Sequence, residues 1–158
     1  MWLPVVGLEQ SYEVSNQGRV RSIKTSRILS QRLTSPGKRR PTGKRYPVVE
    51  FRIAGRQKIR RKVHLLVLEA FSGARPSEHV ACHSNDNPLD NRLENLRWDT
   101  RSGNVIDSVI NGCHPQASKT ACSNGHEYTP ENTYLRSTGR NCRACQRNRQ
   151  KKYMAGRP

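Results

Sequence analysis

Four residues near the C-terminal end constrain this chain more than any other feature. Three residues separate Cys122 from His126, two separate Cys142 from Cys145, and fifteen lie between the two pairs. Two thiolates on one side, and a thiolate with an imidazole on the other, make the tetrahedral donor set of a structural Zn²⁺ site. All four positions of the ion are then filled, so its expected role is to stabilise rather than to react. The surrounding segment is poor in apolar residues and is expected to fold only with its metal. Tyr134-Leu135 and Gly139 predict a hairpin between the ligand pairs, and a basic helix carrying Arg143, Arg147, Arg149, Lys151 and Lys152 follows. Cys113 and His114 are adjacent, which suits one tetrahedral site poorly, and a loop position is expected for them.

A metal-held segment fits the composition of the whole. Only 33% of the 158 residues are hydrophobic and 6% aromatic, too few for one large core, so small modules are expected, of α+β type given the strands and helices read below. The formal charge is +17. Residues 1–62 carry +13, residues 63–115 carry −3 and residues 116–158 carry +7. Two basic arms around a slightly acidic middle point to a polyanionic partner, and nucleic acid is the first candidate because counterion release drives such binding. No apolar run is long enough for a membrane span, and Met1-Trp2-Leu3-Pro4 opens no secretory leader. With an odd number of cysteines (five), this predicts the reducing cytoplasm and metal ligation rather than disulfides.

In chain order, Tyr12 and Val14, then Val20 and Ile23, predict two short strands joined by a turn at Asn16-Gln17-Gly18. Arg19 and Arg21 alternate on one side of the second strand. Residues 26–46 lack apolar periodicity and hold the cationic Lys38-Arg39-Arg40, which predicts a loop. Residues 47–62 predict a hairpin: Val49, Phe51 and Ile53 alternate with polar residues, Ala54-Gly55 turns, and the return strand carries Arg60, Arg61 and Lys62. Val63, Leu66, Val67 and Ala70 recur at helical spacing, which predicts a short buried helix over 63–72.

The stretch Val80–Asn104 reads V-A-C-H-S-N-D-N-P-L-D-N-R-L-E-N-L-R-W-D-T-R-S-G-N. His83, Asn87, Asn91, Asn95-Leu96-x-Trp98 and Asn104 in this register resemble the HNH (ββα-metal) endonucleases of the phage and intron-homing type. The pattern Tyr-x-Val-Ser-Asn-x-Gly-Arg-Val over residues 12–20 is similar to the small β-rich DNA-associated module often fused to them, and Val63-His64-x-Leu66-Val67-x-x-Ala70-Phe71 to the helix that precedes their motif. The zinc cluster resembles tails appended to phage HNH proteins. The resemblance implies three parts: a basic DNA-associated module at 1–46, a nuclease core at 47–115 and a zinc-binding basic tail at 116–158.

It also implies a function: hydrolysis of double-stranded DNA, nicking one strand, with one Mg²⁺ or Mn²⁺ ion. His83 is then the general base, Asn104 a metal ligand early in a helix near 101–111, and Asn95 the brace that orients His83. Leu93, Leu96 and Trp98 are expected to pack. Arg19, Arg21, Lys38, Arg39, Arg40, Arg60, Arg61, Lys62, Arg143, Arg147 and Arg149 are candidate DNA contacts. No small-molecule substrate and no membrane partner are expected. A monomer would nick and a dimer could break both strands; the residues do not choose. The implied setting is the cytoplasm of a host cell.

The chain departs from the family at Cys82, where the best-matched branch places a metal-binding Asp. A thiolate is a soft ligand and a poor one for Mg²⁺. Either Asp86 takes over, or water completes the shell, or the site is weakened; Cys82 itself can be a buried small hydrophobe. A DNA-binding protein that keeps the fold without cleaving is the alternative, and RNA binding through the zinc tail is a weaker third. His64 has two readings, one near the site and one structural, and His79 is expected at the surface.

Overall fold

The computed structural model describes residues 1–35, 43–53, 57–136 and 139–156. The chain divides into two compact units, Met1–Cys113 and His114–Pro158.

The first unit opens with a three-stranded antiparallel sheet, β1 (Trp2–Pro4), β2 (Tyr12–Ser15) and β3 (Val20–Ser22), with β2 central. Val14 faces Val20 across the β2–β3 pair and both are buried. The turn between them lies at residues 16–18, as the Asn-Gln-Gly sequence predicts, while Ile23 falls past the end of β3 and is 42% exposed. A second antiparallel sheet holds β4 (Arg32–Leu33), β5 (Pro47–Arg52) and β6 (Lys58–Lys62). The β5–β6 hairpin is as expected: Val49 and Phe51 point inward, Phe51 pairs with Ile59, and Arg52 points out. Its predicted turn at Ala54-Gly55 lies outside the described residues, as do Lys38, Arg39 and Arg40. Strand β4 corrects the expectation of a plain loop over 26–46; two residues are too short to show a period of two, and β4 is recruited by its backbone bonds to Pro47 and Val48.

Helix α1 (Val63–Phe71) follows β6 directly and packs on both sheets; Val63, Leu66, Val67 and Leu68 are buried. With Val5, Val14, Val20, Val49, Phe51 and Leu96 they form a single hydrophobic core. The N-terminal sheet and the segment that follows it therefore share one apolar interior, and burial of each Val or Leu side chain contributes about 1.5–3 kcal/mol. Strands β7 (His79–His83) and β8 (Leu96–Thr100) form an antiparallel ribbon joined by a polar loop and a 3₁₀ turn at Leu93–Asn95. Leu93, Leu96 and Trp98 all pack on the core, as expected.

Helix α2 (Arg101–Ile110) closes the unit. Its apolar residues Val105, Ile106, Val109 and Ile110 are exposed, so polar contacts attach it. Thr100 Oγ1 accepts from the Gly103 N–H at 3.1 Å as N-cap, Arg97 pairs with Asp107, and Asn111 Nδ2 donates to the Ser84 carbonyl at 2.8 Å.

In the second unit, β9 (Thr133–Arg136) and β10 (Gly139–Cys142) form the predicted hairpin, and α3 (Arg143–Ala155) is the predicted basic helix. Cys142 is its one buried hydrophobic residue among those described. Among the described residues no helix is long and apolar enough to cross a membrane.

Candidate active site and metal centre

His83 ends β7, and its backbone pairs with Leu96 of β8. The alternation of a strand cannot bury both of two neighbours in one core, yet Cys82 and His83 are both buried, at 0% and 7% exposure. Cys82 is fully buried, and burial pushes its thiol up, which suits a small hydrophobe. His83 is covered by the loop that follows it.

That loop is a chain of side chains bonded to their own backbone. Asn85 Oδ1 accepts from Asn87 N–H at 3.0 Å, and Asn87 Oδ1 from Leu89 N–H at 3.0 Å. Asn95 braces it from behind: its Oδ1 accepts from Asn85 N–H at 3.0 Å and its Nδ2 donates to the Asp90 carbonyl at 2.8 Å. Asn95 is thus the loop brace, but it does not bond the imidazole. That contact belongs to Asn91, which is 5% exposed and whose Oδ1 lies 3.3 Å from His83 Nε2. The 3₁₀ turn directs Asn95 into the loop's backbone and leaves Asn91 facing the ring.

The network assigns the proton. Asn91 Nδ2 donates to the Leu89 carbonyl at 3.2 Å, which turns Oδ1 toward His83. Nε2 must therefore carry the hydrogen, and Nδ1 keeps its lone pair. Burial holds the His83 pKa below its ordinary value; the Asn91 bond works against this, and the Lys44 charge adds to it. His83 is thus a neutral imidazole with one nitrogen tethered and the other free to accept a proton, the state a general base needs.

Two further rings enclose it. His64 of α1, 4% exposed, lies 5.1 Å from His83, edge to face, and 5.1 Å from Tyr46. Burial, with His83 and Lys62 nearby, pushes the His64 pKa down to about 3, and its Nδ1 has no partner. Tyr46 lies 6.1 Å from His83 and carries the Lys62 ammonium over its face at 4.8 Å. Tyr46 sits in a stretch without periodicity, so no sequence signal links it to the site.

Asp86, in a left-handed turn at φ 58°, is bound by Lys44, which donates to both its carboxylate and its carbonyl. Asn104 lies in the first half of α2 with its side chain exposed and without a protein partner among the described residues.

The candidate DNA contacts divide. Arg19, Arg147 and Arg149 are exposed, and Arg60 is exposed beside Glu50 at 3.1 Å. Arg143 is exposed with its guanidinium 5.5 Å from the Tyr134 ring. Arg21 is held by Glu13 at 2.7 Å and lies over Trp2 at 4.3 Å. Arg61 turns inward, pairing with Glu69 and donating to the Val6 carbonyl at 2.7 Å. Lys62 covers Tyr46.

In the second unit, the side-chain donors of Cys122, His126, Cys142 and Cys145 all lie within 4.8 Å of one another. Cys122 Sγ is 3.4 Å from His126 Nδ1 and 3.6 Å from Cys145 Sγ, and His126 Nδ1 is 3.3 Å from Cys145 Sγ. With ligand bonds of ~2.3 Å to sulfur and ~2.0–2.1 Å to nitrogen, the edges of a tetrahedron are ~3.5–3.8 Å, so the set matches one ion. Asn124 Nδ2 donates to Cys145 Sγ at 3.2 Å and the Cys145 N–H to Cys142 Sγ at 3.4 Å, bonds that favour thiolates. The Cys142 thiol is drawn down to about 6, chiefly by that backbone N–H.

A strand bearing a buried histidine, a return strand and a following helix define the first unit as a ββα nuclease-type module behind an N-terminal sheet. Residues 61–106 match the HNH endonuclease family and residues 1–52 the NUMOD4 motif. The chain thus carries an HNH endonuclease domain preceded by the NUMOD4 motif, as its sequence pattern implies. It is 37% identical over 111 residues to the uncharacterised HNH endonuclease L247 of Acanthamoeba polyphaga mimivirus, covering 69% of this chain and 25% of that protein. It is 31% identical over 111 residues to the DNA endonuclease I-HmuI of Bacillus phage SP01, covering 70% of this chain and 59% of that one. The solved structure of the HNH homing endonuclease I-HmuI, which concerns its DNA binding and cleavage, superposes with a TM-score of 0.57 at 29% identity, over 72% of this chain and 60% of that one. The chain therefore spans less than two thirds of either relative's length.

Proposed function

We propose that this protein is a DNA endonuclease that nicks duplex DNA, with His83 as general base. The observation that carries the reading is the neutral, singly tethered His83, its Nε2–H on Asn91 and its Nδ1 unengaged. Nδ1 takes the proton of the attacking water as the water's oxygen bonds to phosphorus and the bond from phosphorus to the 3′ oxygen breaks, the freed 3′ oxygen taking a proton from solvent. Asn104 is the ligand the chain offers to a divalent ion through its side-chain oxygen, and Asp86 becomes available if Lys44 releases it for a phosphate. With Cys82 buried and protonated, this donor set suits a hard, water-rich Mg²⁺ or Mn²⁺ ion. Bound there, such an ion would stabilise charge on the phosphoryl and leaving oxygens. The exposed Arg19, Arg60, Arg143, Arg147 and Arg149 supply phosphate contacts, and the four-ligand cluster holds Zn²⁺ as a structural ion. The phage relative favours action inside a host cell.

The test is cleavage of supercoiled plasmid with Mg²⁺, Mn²⁺ or EDTA by wild type and His83→Ala. Metal-dependent nicking is expected, with the rate in His83→Ala lower by about 10²–10⁴-fold and DNA affinity unchanged. Wild-type cutting by the mutant would remove His83 from the chemistry. Tight binding without cutting under any metal would instead make the protein an HNH-fold DNA binder.

A further inference from the structure

The turn of the N-terminal sheet reaches the loop that holds His83. Gly18 is buried at φ 72°, and a Cβ placed on it would stand 2.9 Å from Asn91 Cβ and 3.0 Å from the Asn91 carbonyl oxygen. The Asn16 carbonyl accepts the Leu93 N–H at 2.8 Å, two residues further along the same loop.

The turn itself is fixed from several sides. Ser15, 1% exposed, accepts the Arg19 N–H on its Oγ at 3.0 Å. Gln31 Nε2 donates to the Gly18 carbonyl at 2.7 Å. The Asn16 N–H donates to the Met1 carbonyl at 3.2 Å. A rigid turn in contact with Asn91 decides where Asn91 sits, and Asn91 alone among the described residues hydrogen-bonds the His83 ring.

We infer that Gly18 is a positioning residue of the nuclease site: the N-terminal turn seats Asn91, and Asn91 sets the tautomer and rotamer of His83. The N-terminal module is then part of the catalytic framework and not only a DNA-associated appendage. The reach is sufficient. Carbon atoms in contact favour ~3.5–4.0 Å, so a Cβ on Gly18 drives Asn91 back by roughly 0.6–1.1 Å. A shift of that size, taken up by Asn91, disturbs the Asn91–His83 contact, which stands at 3.3 Å.

This inference rests on His83 as the base, so the experiment reads the ring as well as the reaction. Gly18→Ala, Asn91→Ala and the double variant are compared by single-turnover plasmid nicking, by plasmid affinity and by the ¹⁵N signals of the His83 ring. Each single variant is expected to slow nicking by about tenfold or more, with affinity within about threefold of wild type, because a sub-ångström displacement acts on the chemical step. The double variant is expected to be no slower than the slower single one, since both act through one contact. His83 should lose its single Nε2–H tautomer in all three.

Gly18→Asn separates contact from backbone strain, because Asn tolerates positive φ but still carries a Cβ; it should match Gly18→Ala in rate while melting closer to wild type. If Gly18→Ala does not fold, Gly18→Asn and Asn91→Ala carry the test. Losses that multiply in the double variant, or a His83 spectrum untouched in Gly18→Asn and Asn91→Ala, would overturn the inference. If His83→Ala nicks normally while the His83 signals still follow Gly18, the base assignment fails and the coupling stands.

Discussion

Removing metal from the second unit should unfold it and leave the first intact. Cys142 is the only described residue between His114 and Pro158 among the buried hydrophobics; the remaining core residues all lie before Cys113. A hairpin of four-residue strands and one helix, without an apolar interior, cannot offset the ordering of its backbone, at about 1–2 kcal/mol per residue. Structural Zn²⁺ in small modules supplies ~10–16 kcal/mol of apparent binding free energy, and in the proposed zinc-held unit that energy would be the folding energy. Among the described residues, helix α3 holds 13 of the 32 in α-helices. Stripping the ion with a strong chelator, or replacing Cys142 with Ser, should therefore remove about two fifths of the helical ellipticity at 222 nm, while the melting transition of the first unit stays in place. Wild type should release one Zn²⁺ per chain and recover the signal when zinc is returned; Cys142→Ser should not recover. Full ellipticity after stripping, or one bound zinc per chain in Cys142→Ser, would refute the assignment.

Other outcomes follow from the first unit. His64 titrates in the unfolded chain near its ordinary value of 6.5, but in the folded protein only near 3, so its contribution to stability is present above pH 6.5 and is lost as pH falls toward 3. Chemical denaturation across that range should show a slope steeper in wild type than in His64→Phe by up to about 1.4 kcal/mol per pH unit, and equal slopes would contradict the burial argument. Cys82→Asp places a carboxylate at a position with 0% exposure; despite Arg97 opposite, it should lower stability by about 1–3 kcal/mol in thermal melts rather than restore metal binding, and tighter Mn²⁺ binding in that variant would show the reasoning wrong. A Cβ on Gly103 would stand 2.4–2.6 Å from the Asp99 carboxyl, which is held by Arg97 and the Thr100 N–H, so Gly103→Ala should cost about 1–2 kcal/mol by displacing that carboxylate. Plasmid affinity should fall steeply with salt, with a slope of about −0.9 per phosphate contact in a plot of log affinity against log salt, and a flat plot would exclude an electrostatic grip.

Local rules made much of the fold readable. The turn at residues 16–18, the β5–β6 alternation, the α1 stripe and the zinc ligand spacing each involve residues close in sequence, with a period or turn chemistry of their own. The site was readable only to the extent that it lies on one segment. His83, Asn95 and Asn104 could be named from a linear pattern, but which amide meets the imidazole depends on a 3₁₀ turn whose direction no spacing encodes, and the structure assigns that contact to Asn91. Tyr46 and Lys44 approach the His83 loop from the residues before β5, and His64 approaches it from α1, through packing of distant segments.

The cationic residues make the same point from the opposite side. In sequence, Arg60, Arg61 and Lys62 are one basic run, and a count of charge treats them alike. In the fold they serve three purposes. Arg60 points to solvent, Arg61 joins the β6 end to Glu69 of α1 and to the Val6 carbonyl, and Lys62 lies over Tyr46 beside the two histidines. Only the first can meet a phosphate at the cost of no more than a solvent-exposed ion pair, the one with Glu50. Arg61→Ala should therefore act on stability, and Arg60→Ala on DNA affinity with the melt unchanged. The split has two causes: strand alternation sends Arg61 to the face opposite Arg60 and Lys62, and the Tyr46 ring then engages Lys62 but not Arg60.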